Sequence, residues 1–157
     1  MLELLDGTVR TVRKISSELR PSLLDDMGLV AAMEWHLKEF EKRAAIKTRF
    51  SVPKQELAVS DTIKTGLFRI FQESLTNVSR HAAAKKVEVK LQQQNGNIVL
   101  SIKNDGKGFD KEEAADKKTL GILGMEERSF MMGGSYQISS KPGEGTLVVI
   151  SVPHANN

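Results

Sequence analysis

Residues 60–82 read SDTIKTGLFRIFQESLTNVSRHA. Ile63, Leu67, Ile70, Phe71, Ser74, Leu75 and Val78 recur at spacings of three and four, the period of a helix with one face against a core. At about 100° per residue this face covers an arc of roughly 140°. Ser60 stands where such a helix needs an N-cap. Glu73 and Asn77, four residues apart, share the flank just outside the arc. A carboxylate and an amide oxygen placed together supply a base, or the hard oxygen ligands that Mg²⁺ takes alongside phosphate. The same pair also occurs as an ordinary solvated flank.

Downstream, Val87, Val89 and Leu91 alternate with polar residues, and so do Ile98, Leu100 and Ile102. Asn95-Gly96 between them signals a tight hairpin. Asp105-Gly106-Lys107-Gly108 follows, an Asp beside two glycines that allow close backbone approach. Its carboxylate can accept a hydrogen bond from a base amine. The stretch from Asp110 to Thr119 is polar with almost no apolar anchor and reads as a surface segment. Gly121-Ile122-Leu123-Gly124-Met125-Glu126-Glu127-Arg128 opens a short helix that should end at Gly133-Gly134. Glycines at a helix start leave backbone N–H groups bare for an anion, and the dipole favours phosphate there. Strands from Ser135 to Ser140 and Thr146 to Val152 flank the turn Pro142-Gly143-Glu144-Gly145.

Upstream, Leu29, Met33, Leu37, Phe40 and Ala44 mark a helix from about Leu29 to Ala45, and Lys47 to Val52 a short strand closed by Pro53. Ser22 to Gly28 reads as a linker-like turn. Leu2, Leu5, Val9, Val12 and Leu19 lie on a heptad stripe interrupted at Ser16, so Met1 to Arg20 reads as a helix needing partners. It is either a docking helix of the same domain or half of a helical hairpin. Strands grouped in hairpins rather than alternating with helices argue for an α+β two-layer sandwich, a mixed or antiparallel sheet with helices on one face.

Composition narrows the function classes. The 157 residues include no cysteine, which excludes a disulfide scaffold and thiolate zinc sites. The hydrophobic fraction of 39% suffices for a core. A net charge of +3 without long basic runs argues against a nucleic-acid partner. No stretch of about 18 apolar residues or secretory leader is present in the sequence, so no membrane contact is expected of this chain. P-loop, EF-hand, G-x-S-x-G and H-E-x-x-H patterns are absent from the sequence.

In order, an acidic-plus-Asn helix, an Asp-Gly-Lys-Gly loop after a strand, a polar segment and a glycine-opened helix resemble the ATP-binding domain of the Bergerat fold, shared by histidine kinases, gyrase, Hsp90 and MutL. Gln72 to Ala82 resembles the family's Asn-bearing box, Asp105 to Gly108 its first glycine box, Thr119 to Arg128 its second, and Gly145-Thr146 its closing turn. Glu18 to Leu29 is similar to the junction between dimerisation hairpin and catalytic domain in nitrate-sensor-type sensor histidine kinases.

The resemblance implies ATP and Mg²⁺ as cofactors. It implies that Asp105 accepts from the adenine amine, with Gly106 and Gly108 allowing the base to lie close and Thr146 near it. Asn77 would be the Mg²⁺ ligand, and Glu73 would orient or deprotonate the accepting histidine. Gly121, Leu123, Gly124 and Met125 would surround the phosphates, under a lid from Asp110 to Thr119. Asn104 and Lys103 stand where an acidic residue is common in the family, and Asp105 is taken as the adenine-binding Asp.

No phosphoacceptor histidine is recognisable in this chain: His36 lies past the junction, and His81 in the Asn box reads as structural. The expected organisation is therefore residues 1–27 as the second hairpin helix and linker, and 28–157 as the catalytic domain. Expected partners are ATP, the protein's own phosphoacceptor helix in a homodimer, and a response regulator. The expected place is the cytoplasmic side, in a parent of a kind often anchored in the plasma membrane. Two other readings compete: a non-catalytic dimerisation module with a vestigial cleft, and an anti-sigma-factor-type serine kinase. Intact Glu73, Asn77 and Asp105 argue against the first, and the Arg20-Pro21 junction with its heptad helix against the second.

Overall fold

The computed structural model describes residues 22–54, 57, 59–110 and 121–153. The heptad segment before Pro21 and the expected lid after Asp110 lie outside the described residues. The elements are α1 (Ser22–Met27), α2 (Leu29–Ala44), β1 (Lys47–Ser51), α3 (Asp61–Asn77), a π-helical turn (Val78–Ala82), β2 (Lys86–Gln94), β3 (Asn97–Asn104), α4 (Ile122–Met131), β4 (Ser135–Ser140) and β5 (Thr146–Pro153).

The five strands form one sheet in the order β1-β2-β3-β5-β4. β1 and β2 are parallel, joined through α3, and the other pairs are antiparallel. This is the mixed sheet of an α+β two-layer sandwich. Register makes its inner face from rows of side chains. Leu91, Leu100, Ile150 and Tyr136 form one row, and Val89, Ile102, Val148 and Ile138 the next. The alternate residues on β2 and β3 are partly or fully exposed, so the strands bury one side only. Against that side lies the apolar arc of α3, where Leu67, Phe68, Ile70, Phe71 and Leu75 are almost wholly buried. Each such side chain contributes roughly 1.5–3 kcal/mol of transfer free energy.

Local chemistry explains most boundaries. Ser60 caps α3 by accepting from the Ile63 N–H at 3.3 Å. Asn95 and Gly96 both take positive φ, 51° and 78°, the requirement of the tightest hairpin turn. Ser22 to Met27 departs from the expected turn and is helical. Its Ser22 and Asp25-Asp26, with Gly28 directly after, suit a turn, but Leu24 is 1% exposed in the core, and that burial outweighs propensity. Gly28, at φ 88°, then separates α1 from α2.

His36 on α2 packs edge-on to Phe68 and Phe71, with ring centroids 5.8 and 5.6 Å away. Its imidazole is lowered from 6.5 to about 4, by burial first and then by Arg43, with Glu39 opposing them. The unfolded chain therefore binds a proton between pH 6.5 and 4 that the folded chain refuses. Folding stability from this group is complete above pH 6.5 and declines as pH falls toward 4, by about 2 kcal/mol once partial exposure is allowed for. Urea melts at pH 7 and pH 4.5 should show this loss, and His36→Phe should flatten it. An equal pH slope in the variant refutes the assignment.

Candidate functional site

The inner face of the sheet changes character at one end. Beyond the apolar rows, the next row reads Val87, Asn104, Thr146, Ser140. Asn104 is 6% exposed, continuing the inward alternation of Ile98, Leu100 and Ile102. The hydroxyls of Ser140 and Thr146 are 2.8 Å apart, and that of Ser140 also donates to the Gly145 carbonyl at 3.1 Å. Above this row is a cavity of about 50 Å³ whose walls include Asn77, His81, Asn104, Gly108, Phe109 and Thr146. The volume suits a few waters. A larger occupant needs the walls, Phe109 among them, to move apart. The Tyr136 hydroxyl is buried in the same lining with no hydrogen-bond partner among the described residues.

The far wall comes from the end of α3. Asn77 closes the α-helix and Val78–Ala82 continues as a π-turn, a widened geometry frequent at functional sites. The Ala82 carbonyl there accepts from the Lys107 N–H at 2.7 Å. A Cβ on Gly106 would collide with that carbonyl, so the contact requires glycine. Gly108 has φ 64° and lies so close to the Lys141 carbonyl that a side chain has no room.

Asp105 is placed differently from its expected role. Its Oδ1 accepts from the backbone N–H groups of Lys85 at 2.8 Å and Lys86 at 2.9 Å, clamping the start of β2. These bonds, that from Lys86 foremost, hold its carboxyl below the usual range. The side chain is exposed and absent from the cavity lining. One step past Asn104, it leaves the strand on the opposite side from the inward row. Asn104, not Asp105, is the group at the cavity, and extending the period-2 pattern of β3 by one more residue would have found it.

On the other side of Met125 lies a groove of about 790 Å³ between α2, α3 and the start of α4. Met125 lines both spaces, 3% exposed, and its sulfur receives the Ser74 hydroxyl at 3.6 Å. The groove carries Arg43, Arg69, Arg80 and Arg128 against Glu39 and Glu73, an excess of positive charge suited to a polyanion. Burial, then the neighbouring Arg69, lowers the Arg128 guanidinium. Spacing along the chain did not announce this arginine cluster, because its members lie on three helices and the π-turn.

Gly121, φ 65°, is the N-cap of α4 and lines the groove; it makes no side-chain cap, which leaves the first N–H groups of the helix without one. A Cβ on Gly121 would stand 2.7 Å from Glu73 Oε1, so this carboxylate lies against the helix start. Gly124 lines the groove with open space at its Cβ position, while Leu123 is 64% exposed and lines neither space. The fold thus brings Glu73, Gly121 and Gly124 to the groove, Asn77, Gly108 and Thr146 to the cavity, and Met125 to both.

Residues 62–156 match the model of the histidine kinase-, DNA gyrase B- and HSP90-like ATPases. The chain belongs to this ATPase family. It is 34% identical over 96% of its length to the signal transduction histidine-protein kinase/phosphatase DegS of Brevibacillus brevis, covering 39% of that protein. It is 37% identical over 90% of its length to the oxygen sensor histidine kinase NreB of Staphylococcus carnosus, covering 41%. This ATPase-family chain therefore spans about two-fifths of these relatives. Among solved structures, the blue-light activated histidine kinase of Erythrobacter litoralis EL346 shares the fold at TM-score 0.68 and 19% identity, over 80% of this chain and 41% of that one. The histidine kinase AdeS of Acinetobacter baumannii matches at TM-score 0.67 and 16% identity, over 99% and 84%.

For this family member, Asp105→Ala should remove a backbone clamp rather than a ligand contact. We expect a loss of about 1 kcal/mol in urea unfolding, since two exposed bonds to a carboxylate are replaced by water, with nucleotide affinity within threefold of wild type. A tenfold or greater loss of affinity in the folded variant would return Asp105 to the base. Gly106→Ala, which drives a methyl into the Ala82 carbonyl, should cost about 1–3 kcal/mol on the same melts.

Proposed function

We propose that this chain is the ATP-binding catalytic part of a two-component sensor histidine kinase. The observation that carries the reading is the Glu73 carboxylate set against the uncapped start of α4, beside the arginine-lined groove. A helix N-terminus with bare N–H groups holds phosphate, and nearby guanidiniums neutralise it. The base then lies in the cavity and the phosphates run past Met125 to the groove. Family membership and kinase relatives support the same reading.

Phosphoryl transfer depends mainly on positioning and charge neutralisation. In this reading the backbone around Gly121, Leu123 and Gly124 receives the phosphate chain. A lone-pair nitrogen of an incoming imidazole forms the N–P bond while the P–O bond to ADP breaks. Glu73 orients that imidazole or takes the proton from its other nitrogen. Mg²⁺, when bound, would be held by Asn77 and would supply positive charge to neutralise the phosphates. No cluster of three acidic or histidine ligands exists among the described residues. The fit is instead a single amide oxygen from Asn77 with phosphate supplying the rest, a usual arrangement for Mg²⁺.

Residues 1–27 belong in this reading to the second hairpin helix and linker, and 28–157 to the catalytic domain, with α1 folded onto it. The histidine is supplied by the dimerisation helix of the parent homodimer, and a response regulator receives the phosphoryl group. No helix among the described residues is long and apolar enough to cross a membrane.

Calorimetric titration with a non-hydrolysable ATP analogue tests the site. Binding with Mg²⁺ should weaken by roughly 10-fold or more in EDTA, as loss of bonds to charged groups implies. Asn77→Ala should bind equally with and without the metal. Full Mg²⁺ dependence in that variant removes Asn77 from the metal, and no binding at all by the folded chain sinks the nucleotide reading.

A further inference from the structure

The base end of the cavity presents an amide where the resemblance implied a carboxylate, and the two differ in what they offer a purine. Asn104 Oδ1 accepts from the Gly106 N–H at 2.9 Å. That N–H can only donate, so the bond identifies which terminal atom is oxygen. The remaining atom of this buried, cavity-lining side chain is Nδ2, a donor with no partner among the described residues. Turning the amide over would set donor against donor at Gly106 and lose the bond that shapes the loop. The loop is tightly held: Gly106 abuts the Ala82 carbonyl, and Gly145, in the turn before β5, abuts the Asn104 carbonyl. Oδ1 therefore stays with the backbone and the cavity receives a donor.

An aspartate in this place would satisfy Gly106 with one oxygen and accept from a 6-amino group with the other. Asn104 offers that amino group an N–H instead, so two donors meet and neither is paired. A purine with a carbonyl at C6 brings an acceptor to the same point.

We propose that Asn104 is the specificity-determining residue of the base site, and that it favours 6-oxopurine nucleoside triphosphates over adenine. This rests on the reading that the cavity holds a nucleotide base. ATP still binds through its phosphates, but without the advantage that an amine-accepting wall confers. Ser140 does not restore it: its proton goes to the Gly145 carbonyl, and its oxygen accepts from the Phe109 N–H at 2.9 Å and from the Thr146 hydroxyl at 2.8 Å. Thr146, whose proton lies on Ser140, keeps acceptor lone pairs, and Asn104→Asp leaves it in place, so that variant reads the part played by Asn104 alone.

Inosine triphosphate differs from ATP at the C6 substituent and the N1 proton, which makes the pair a direct probe. With Mg²⁺ present, the wild-type chain should bind ITP at least as tightly as ATP, by up to about 10-fold, the range of one hydrogen bond gained against one donor left unpaired. Asn104→Asp should reverse the order, with ATP about 10-fold tighter than ITP. A wild-type preference for ATP over ITP overturns the proposal, and so does a ratio unmoved by Asn104→Asp. The wild-type ratio stands as a test even if the variant does not fold. Failure of the underlying reading looks different: a folded wild-type chain that binds neither triphosphate overturns the nucleotide site itself, and this inference with it.

Discussion

The Ala82 carbonyl, accepting from the Lys107 N–H at 2.7 Å, ties the end of the longest described helix to the end of the central strand β3. The cavity lies along that seam. The helix brings Asn77 and His81 to one wall, and β3 brings Asn104 to the other. Nothing bulkier than glycine at 106 lets the two backbones come this close, and Asp105 reinforces the join by accepting from Lys85 and Lys86. The end of the helix frees that carbonyl: Ala83, at φ 51°, stops the π-turn, so the Ala82 carbonyl has no N–H further along the same helix and is open to the loop.

The same seam separates two chemistries. On the sheet side the space is small, largely apolar and closed by a polar row of side chains. On the helix side it is wide and rich in arginine. Met125 stands between them, its sulfur held by the Ser74 hydroxyl from inside the arc of α3. A flat heterocycle suits the first space and a chain of anionic groups the second, so one elongated ligand can satisfy both. Glu73 is the acidic residue of the basic groove that lies against the start of α4. A carboxylate costs phosphate affinity there, which is consistent with a role toward a partner rather than toward the nucleotide.

Much of this could be read from residue order. The apolar periodicity from Ile63 to Val78, the cap at Ser60, the Asn95-Gly96 turn and the paired alternating strands each depend on neighbours in sequence. So do the glycines that open α4. Helix 22–27 could not be read this way, because its composition suits a turn and only the burial of Leu24 against the rest of the core overrides that preference. The arginine groove was hidden for a related reason: Arg43, Arg69, Arg80 and Arg128 are far apart along the chain, and α2, α3 and α4 must pack before they share a surface.

Asn104 and Asp105 show where the two kinds of knowledge part. Local pattern limits the base-side group to this pair, since a polar pair beside glycines at a strand end is a property of the chain alone. Which of the two faces the cavity depends on how far β3 keeps its pleat, and that is settled by its pairing with Thr146 on β5 and by the N–H groups of Lys85 and Lys86 that draw the Asp105 carboxylate away. Periodicity and turn chemistry are short-range, so they are written in residue order. Hydrogen bonds between segments 20 residues apart, and side chains converging from separate helices, arise only when the sheet and its helices close on one another.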